Sequence, residues 1–141
     1  LEFRRVLFRS KRFIILCTRI AREKFSVSPE REKAFDMVRQ FYVLVDNHFK
    51  EKKMVQDYAN MLHRSPKTLS NLFTTCGLPS PLRIIHERIE AEAKRLLLYS
   101  QKSAKEITEI LGFEDQATFS RFFKKMTGES VSEYRKREKQ E

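Results

Sequence analysis

Apolar residues recur every three or four positions along most of this chain, a spacing that places them on one face of an α-helix. The first clear case follows Ser28, where Pro29 at the first helical position and acidic residues in the first turn are typical of a helix start. The apolar face of this helix runs from Ala34 to Val45. A helix with so broad an apolar face must bury it against another element.

A pair of short helices joined by a tight turn is predicted next. The first helix covers Met54 to Leu62 and ends at the turn His63-Arg64, and Ser65-Pro66 opens the second helix. The second helix directs inward Leu69, Leu72 and Phe73. It leaves on its outer side Lys67, Thr68, Ser70, Asn71 and Thr74.

A long helix then separates this pair from a second pair. The run from Leu82 to Tyr99 contains no helix breaker. After it, Ser103 caps a short helix that Gly112 ends, and Asp115 caps a helix over Gln116 to Met126. The inward residues of that last helix are Phe119, Phe123 and Met126. A short final helix ends in a basic tail.

The composition supports a helical fold. Of the 141 residues, three are glycine and four are proline, too few turn residues for a fold of many β-hairpins. We therefore predict an all-α protein in which two helix-turn-helix subdomains are joined by a long linker helix and preceded by a further helical segment. No apolar run approaches the roughly 20 residues that cross a bilayer, so no membrane span is expected.

The charge indicates the partner. The chain has 29 Lys and Arg against 19 Asp and Glu, a net charge of +10, which favours nucleic acid ahead of a membrane surface. In each pair the second helix exposes small polar and basic residues, as a recognition helix in the major groove does. Side chains suited to base edges are Lys67, Ser70 and Asn71, and then Gln116, Ala117, Ser120 and Arg121. Cations suited to the phosphate backbone are Lys50, Arg64, Lys124, Lys125 and Arg135.

The length of the linker helix suits a protein that binds two successive major-groove segments. About 18 residues at roughly 1.5 Å each span about 27 Å, close to the approximately 34 Å between successive major grooves on one face of DNA. We therefore expect both recognition helices to bind one double-stranded duplex.

Many of these residues stand at characteristic distances from one another along the sequence. In the second half they are Ile107, Gly112-Phe113, Phe119-Ser120-Arg121, Phe123-Lys124-Lys125, Gly128 and Tyr134-Arg135. In the first half and the linker they are Ala59, Leu62, Ser65, Leu69, Phe73, Arg88 and the run from Ala93 to Leu97. At these positions the chain, from about His48 to Arg137, resembles the DNA-binding domain of AraC/XylS-type transcriptional regulators. It departs from their pattern at Thr108, which replaces alanine, at Val131, which replaces proline, and at Gly77, which stands one residue early.

The resemblance implies a bacterial, cytoplasmic, sequence-specific regulator of transcription that binds promoter or operator DNA, without enzymatic activity and without a cofactor. It implies the same groove-facing residues that periodicity selects. Such regulators can form homodimers and can contact RNA polymerase, and both partners stay open for this chain.

The resemblance also implies a division of the chain. Residues 47–141 form the double helix-turn-helix domain, with the first unit at 47–81, the linker helix at 82–99 and the second unit at 100–141. Residues 11–46 resemble, more weakly, the closing helices of a sensor and dimerisation domain. Residues 1–10 are expected to be a non-native leader, because Leu7-Phe8-Arg9-Ser10 is the translation of a common sequencing adapter. The chain would then be a truncated fragment, and the face from Ala34 to Val45 would lack its usual partner.

Several other groups are interpreted as structural. The histidines His48, His63 and His86 lie on separate elements, so no metal site is predicted. The carboxylates Glu87, Glu90 and Glu92 have the spacing of exposed ion pairs with neighbouring cations. Cys17 and Cys76 have no ligand spacing and are expected to be buried small hydrophobic residues in a reducing cytosol. Lys50 to Lys53 is expected to be a solvated junction, and Arg88 is expected to pair with a carboxylate or to cap carbonyl groups.

Two alternative functions are open at this stage. The first is a helical protein-interaction module whose exposed Ala34 to Val45 face binds a partner helix, with incidental DNA affinity. The second is a small nucleic-acid enzyme, which is disfavoured because the sequence offers no nucleophile, metal cluster or carboxylate pair at a plausible spacing.

Overall fold

The computed structural model describes residues 28–140, which form seven helices and contain no strand. The predictions for residues 1–10 and for Cys17, and the first part, 11–27, of the predicted segment 11–46, lie outside the described residues. The helices are α1 (Pro29–His48), α2 (Val55–Met61), α3 (Pro66–Thr75), α4 (Pro81–Tyr99), α5 (Ala104–Ile110), α6 (Gln116–Thr127) and α7 (Val131–Gln140). The prediction of an all-α fold is therefore confirmed.

Capping hydrogen bonds confirm the predicted helix starts at Ser65, Ser103 and Asp115. The hydroxyl of Ser65 accepts a hydrogen bond from the backbone N–H of Thr68 at 3.1 Å. Ser103 and Glu106 form a reciprocal capping box at the start of α5. Each such cap satisfies backbone groups that the first helical turn leaves without an intrahelical partner. Ser28 occupies the N-cap position of α1, but its side chain makes no capping hydrogen bond.

Helix α1 packs into the same core as the first helix pair. The Phe41 ring is fully buried, with its centroid 5.5 Å from that of Tyr58 in α2 and 5.0 Å from that of Phe73 in α3. Val38 and Val45 are buried beside it. The face from Ala34 to Val45 therefore has a partner within this chain, whereas the absence of its usual partner, the rest of a sensor domain, stays a prediction. The short helices α2 and α3 present an apolar side of their own, and α1 covers it.

The predicted boundary between residues 46 and 47 thus falls within one packed core. Packing groups α1 with the first unit, and the assignment of 11–46 to a sensor and dimerisation domain stays a prediction.

The long helix α4 is the spine of the fold and packs against every other described helix. Its buried residues include the predicted set Ile84, Ile85, Ile89, Ala93, Leu96 and Leu97. In the second unit, Phe119 and Phe123 of α6 are fully buried, and the Phe123 ring lies 5.4 Å from that of Tyr134 in α7. Both units are therefore anchored to one rigid element.

Glu92 departs from the prediction of exposed ion pairs. The residue, on α4, is only 5% exposed, and its Oε1 accepts a hydrogen bond from Nη2 of Arg95 at 2.6 Å. Burial raises the pKa of Glu92, but the hydrogen bond and charge of Arg95, with the charges of Arg88 and Lys50, more than offset it and hold the pKa below its usual value. The glutamate is thus a buried, ionised anchor. Glu87 and Glu90 do form helical ion pairs, with Arg83 and Lys94 respectively.

The basic run from Lys50 to Lys53 is not simply a solvated junction. Phe49, which precedes it, is buried. Lys53 is partly buried, and its ammonium donates to the carbonyl oxygen of Lys50 at 2.6 Å. Phe49 inserts into the core and draws the following turn against the rest of the protein, which sequence periodicity does not reveal. Cys76, expected to be buried, is half-buried at the end of α3.

Candidate nucleic-acid interface

The first candidate recognition helix is α3. Its buried side consists of Leu69 and Phe73, which hold the helix against α1 and α2. The predicted groove-facing residues Lys67, Ser70 and Asn71 are all exposed on the opposite side. The turn that precedes α3 is tight, because His63 adopts a left-handed φ of 53°. A rigid helix with a hydrogen-bonding outer face is the arrangement that major-groove recognition requires.

The structure defines where this helix ends. Helix α3 continues to Thr75, and Gly77 follows in the left-handed conformation with φ of 67°. Thr74 therefore lies in the last turn and is exposed. Its hydroxyl donates to the carbonyl oxygen of Ser70 at 2.9 Å. Gly77, which stands one residue earlier than in the family pattern, therefore does not shorten the helix. Thr74 remains on its exposed side and Phe73 on its buried side.

The second candidate recognition helix is α6, whose start is fixed by Asp115. The carboxylate accepts a hydrogen bond of 2.7 Å from the backbone N–H of Thr118. This bond and the side chain of Thr118, and to a lesser extent the charge of Arg121, lower the pKa of Asp115 against an opposing contribution from desolvation. Gln116, Ala117, Arg121 and Lys124 are exposed, whereas Ser120 is half-buried. The predicted residues therefore lie together on α6, with Ser120 the least accessible.

Arg121 is held close to its own helix. Its Nη2 atom lies 3.3 Å from the hydroxyl oxygen of Thr118, to which it donates a hydrogen bond. The guanidinium thus lies near the first turn of α6, the part of a recognition helix that enters the groove first.

The predicted phosphate-contacting residues fall into two groups. Lys50, Arg64, Lys124 and Lys125 are exposed. Arg135 is half-buried, and its guanidinium donates to the carbonyl oxygens of Lys102 at 2.6 Å and Leu97 at 3.4 Å. Arg135 therefore ties α7 to the end of the linker helix. These bonds leave no signal in the local sequence pattern, because the partners lie more than 30 positions away.

The prediction that Arg88 pairs with a carboxylate is confirmed. Its Nε donates to Oδ1 of Asp46 at 2.8 Å, and its guanidinium lies 4.2 Å from the centroid of the Phe49 ring. Glu92 lies 3.8 Å from the same guanidinium. Arg88 thus joins the linker helix to the end of α1, a partner that the sequence did not identify.

The histidines do not converge. Within residues 28–140 no group of three or more His, Cys, Asp or Glu side chains is placed to hold a metal ion. The His86 ring of α4 packs edge-on against Phe122 of α6, with 5.3 Å between centroids. Burial, and secondarily the charge of Lys125, lowers the pKa of His86, so that its imidazole is neutral at pH 7. None of the helices described is both long enough and apolar enough to span a bilayer.

Two capped recognition helices on one long helix define a double helix-turn-helix domain. In agreement, the sequence model of a helix-turn-helix domain family matches residues 58–137. The chain belongs to the AraC/XylS-type family of DNA-binding transcriptional regulators. The resemblance seen in the sequence is thereby confirmed.

Relatives with known sequences agree. The chain is 30% identical over 122 residues to the HTH-type transcriptional regulator YisR of Bacillus subtilis, a match that covers 86% of this chain and 41% of that protein. It is 36% identical over 92 residues to the arabinose operon regulatory protein of Salmonella typhimurium, covering 65% of this chain and 31% of the relative. The chain thus spans less than half the length of these relatives.

The fold is also found in a solved structure. The C-terminal domain of AraT, a response regulator from Geobacillus stearothermophilus, superposes with a TM-score of 0.65 at 28% identity. The match covers 79% of this chain and 88% of that domain.

Proposed function

We propose that this chain binds double-stranded DNA in a sequence-specific manner and reads two adjacent major-groove segments, one with α3 and one with α6. The observation that carries the proposal is the mounting of both recognition helices on α4. Its 19 residues, at roughly 1.5 Å each, extend about 28 Å, close to the repeat of the major groove. The exposed residues supply the chemistry, because Arg and Lys pair with guanine and Asn and Gln with adenine.

The proposal assigns separate roles to the exposed residues. The base-reading set is Lys67, Ser70, Asn71, Gln116, Ala117, Ser120 and Arg121. The backbone-binding set is Lys50, Arg64, Lys124 and Lys125. Arg135 is proposed as a further phosphate contact, beside the two carbonyl groups that its guanidinium bonds.

Binding rather than catalysis is the activity we propose, in the bacterial cytoplasm and without a cofactor. Formation of a homodimer and contact with RNA polymerase belong to the same proposal. The alternative of a protein-interaction module loses its basis, because the α1 face that would have bound a partner helix is occupied by Tyr58 and Phe73.

A pair of variants on α6 tests the roles. Binding of wild-type protein, Arg121→Ala and Lys124→Ala is measured by fluorescence anisotropy on a selected duplex and on single-base variants of it. Arg121→Ala should cost about 1 to 3 kcal/mol and abolish the preference at one base pair. Lys124→Ala should weaken binding to all duplexes alike and reduce the slope of log affinity against log salt by about one. Equal loss across the whole panel for Arg121→Ala would refute its base-reading role.

A further inference from the structure

One short segment contacts the linker helix and both helix-turn-helix units. We name residues 46–53 the junction segment; it carries the end of α1 toward α2. Toward the linker helix, Asp46 accepts the 2.8 Å hydrogen bond from Arg88, whose guanidinium also covers the Phe49 ring. A guanidinium on an aromatic face, with a carboxylate partner, is fixed in both position and direction.

The first unit holds the same segment by a buried hydroxyl. Tyr58 of α2 is fully buried, and its hydroxyl donates to the carbonyl oxygen of Lys52 at 2.7 Å. Burial, with the nearby charges of Asp57 and Glu51, raises the pKa of Tyr58 to about 12. The hydroxyl therefore remains a donor throughout the neutral range, and the junction segment stays attached to the first unit.

The second unit meets the segment at the turn between α5 and α6. Gly112 has a left-handed φ of 69°, and a Cβ atom at this position would overlap the carbonyl oxygen of Lys50 and lie 3.1 Å from Nζ of Lys53. Only a glycine allows the two backbones to approach so closely. The same ammonium donates to the Lys50 carbonyl and lies 5.1 Å from the centroid of the Phe113 ring.

The contact continues into the second recognition helix. The Phe113 ring centroid lies 5.4 Å from that of Phe119 and 5.3 Å from that of Phe122, both on α6. A shift of the junction segment would therefore move the turn, and the turn would move α6. A helix alone leaves two units free to twist about its axis, whereas a second connection away from that axis opposes the twist.

We propose that the junction segment is a positioning element that fixes the second unit relative to the first, and that Gly112 and Lys53 thereby set the half-site spacing that the protein accepts. The inference rests on the proposed two-part reading of DNA. Neither residue belongs to the base-reading or backbone-binding sets given above, so both act through the placement of α6.

The chain offers matched controls for both positions. Gly128 also has a left-handed φ, of 81°, and lies in the second unit, but nothing lies within 4 Å of a Cβ built there. Gly112→Ala and Gly128→Ala therefore share the backbone strain, and only the former creates the overlap with Lys50. Lys53→Met removes the ammonium and keeps the apolar stem, and Lys52→Met removes a charge of the same sign one residue earlier.

The experiment measures affinity as a function of half-site spacing. Each full-chain protein is titrated with duplexes whose two half-sites stand at the selected spacing or are moved by one or two base pairs, and with duplexes that keep one half-site. One added base pair displaces a half-site by about 3.4 Å and rotates it by about 34°. Wild type, Gly128→Ala and Lys52→Met should therefore lose about tenfold or more in affinity per added base pair.

Gly112→Ala and Lys53→Met should flatten this profile to about threefold or less and leave half-site affinity within about twofold of wild type. If Lys53→Met keeps the sharp wild-type profile, the inference is overturned, and this variant decides the matter if Gly112→Ala does not fold. Loss of half-site affinity by Lys53→Met, with a sharp profile retained, would make Lys53 a phosphate contact and overturn it too. A wild-type protein with no spacing preference would instead remove the two-part reading on which the inference rests.

Discussion

Replacing Phe41 by alanine tests whether α1 is part of the DNA-binding core. The Phe41 ring is fully buried between Tyr58 and Phe73, at 5.5 and 5.0 Å between centroids. Truncation removes the contacts of a whole ring and leaves a cavity that close-packed neighbours fill only in part. The expected loss is about 3 to 5 kcal/mol of unfolding free energy. For a domain of this size about 1 kcal/mol corresponds to about 4 °C, so the melting temperature should fall by about 12 to 20 °C.

Val43 supplies the control, because it lies on the same helix and is 56% exposed. The assay is thermal unfolding followed by far-ultraviolet circular dichroism, at one protein concentration and in one buffer. Val43→Ala should change stability by no more than about 0.5 kcal/mol, as exposed substitutions usually do. A melting temperature for Phe41→Ala within 2 to 3 °C of that for Val43→Ala, about the shift that 0.5 kcal/mol produces, would refute the packing of α1 on the first unit.

Two further predictions concern side-chain contacts that the structure revealed. Arg135→Ala should lower the unfolding free energy by about 1 to 3 kcal/mol, because its guanidinium bonds the carbonyl groups of Leu97 in α4 and of Lys102 in the connection after α4; exposed Lys125→Ala is the comparison, and equal melting temperatures for the two would contradict the prediction. Glu92 has a folded-state pKa below its ordinary value of 4.5, so it stabilises the fold above pH 4.5 and this contribution is lost as the pH falls through the lowered pKa. Glu92→Gln should therefore be less stable than wild type at pH 7, and the difference should shrink below pH 4.5; a difference that stays constant down to pH 2 would contradict the assigned ionisation.

Features that depend on residues close together in the chain, such as helix caps and helix faces, were predicted correctly from the sequence. Ser65, Ser103 and Asp115 each bond a backbone N–H three residues on, so a cap and its partner stand close together in the chain. Helical periodicity correctly separated the buried Leu69 and Phe73 from the exposed Asn71. The predicted DNA-facing residues therefore share the outer sides of α3 and α6.

Contacts between distant residues left no local signal. Periodicity showed that α1 has an apolar face, but not that α2 and α3 cover it. The spacing of Glu92 predicts an ion pair whether the glutamate is exposed or buried, and only the packing around α4 shows that it is buried. Likewise, Arg88 and Asp46 are 42 positions apart, so their pairing depends on how α1 lies against α4.

The most direct test of the central claim is selection of bound duplexes from a randomised DNA pool at near-physiological salt, using the full chain. Reading by both recognition helices predicts a two-part motif whose halves are centred about 10 base pairs apart. A motif of one part would show that only one unit reads bases. An absence of any enriched sequence would contradict sequence-specific recognition and leave the basic surface as a non-specific binder of polyanions.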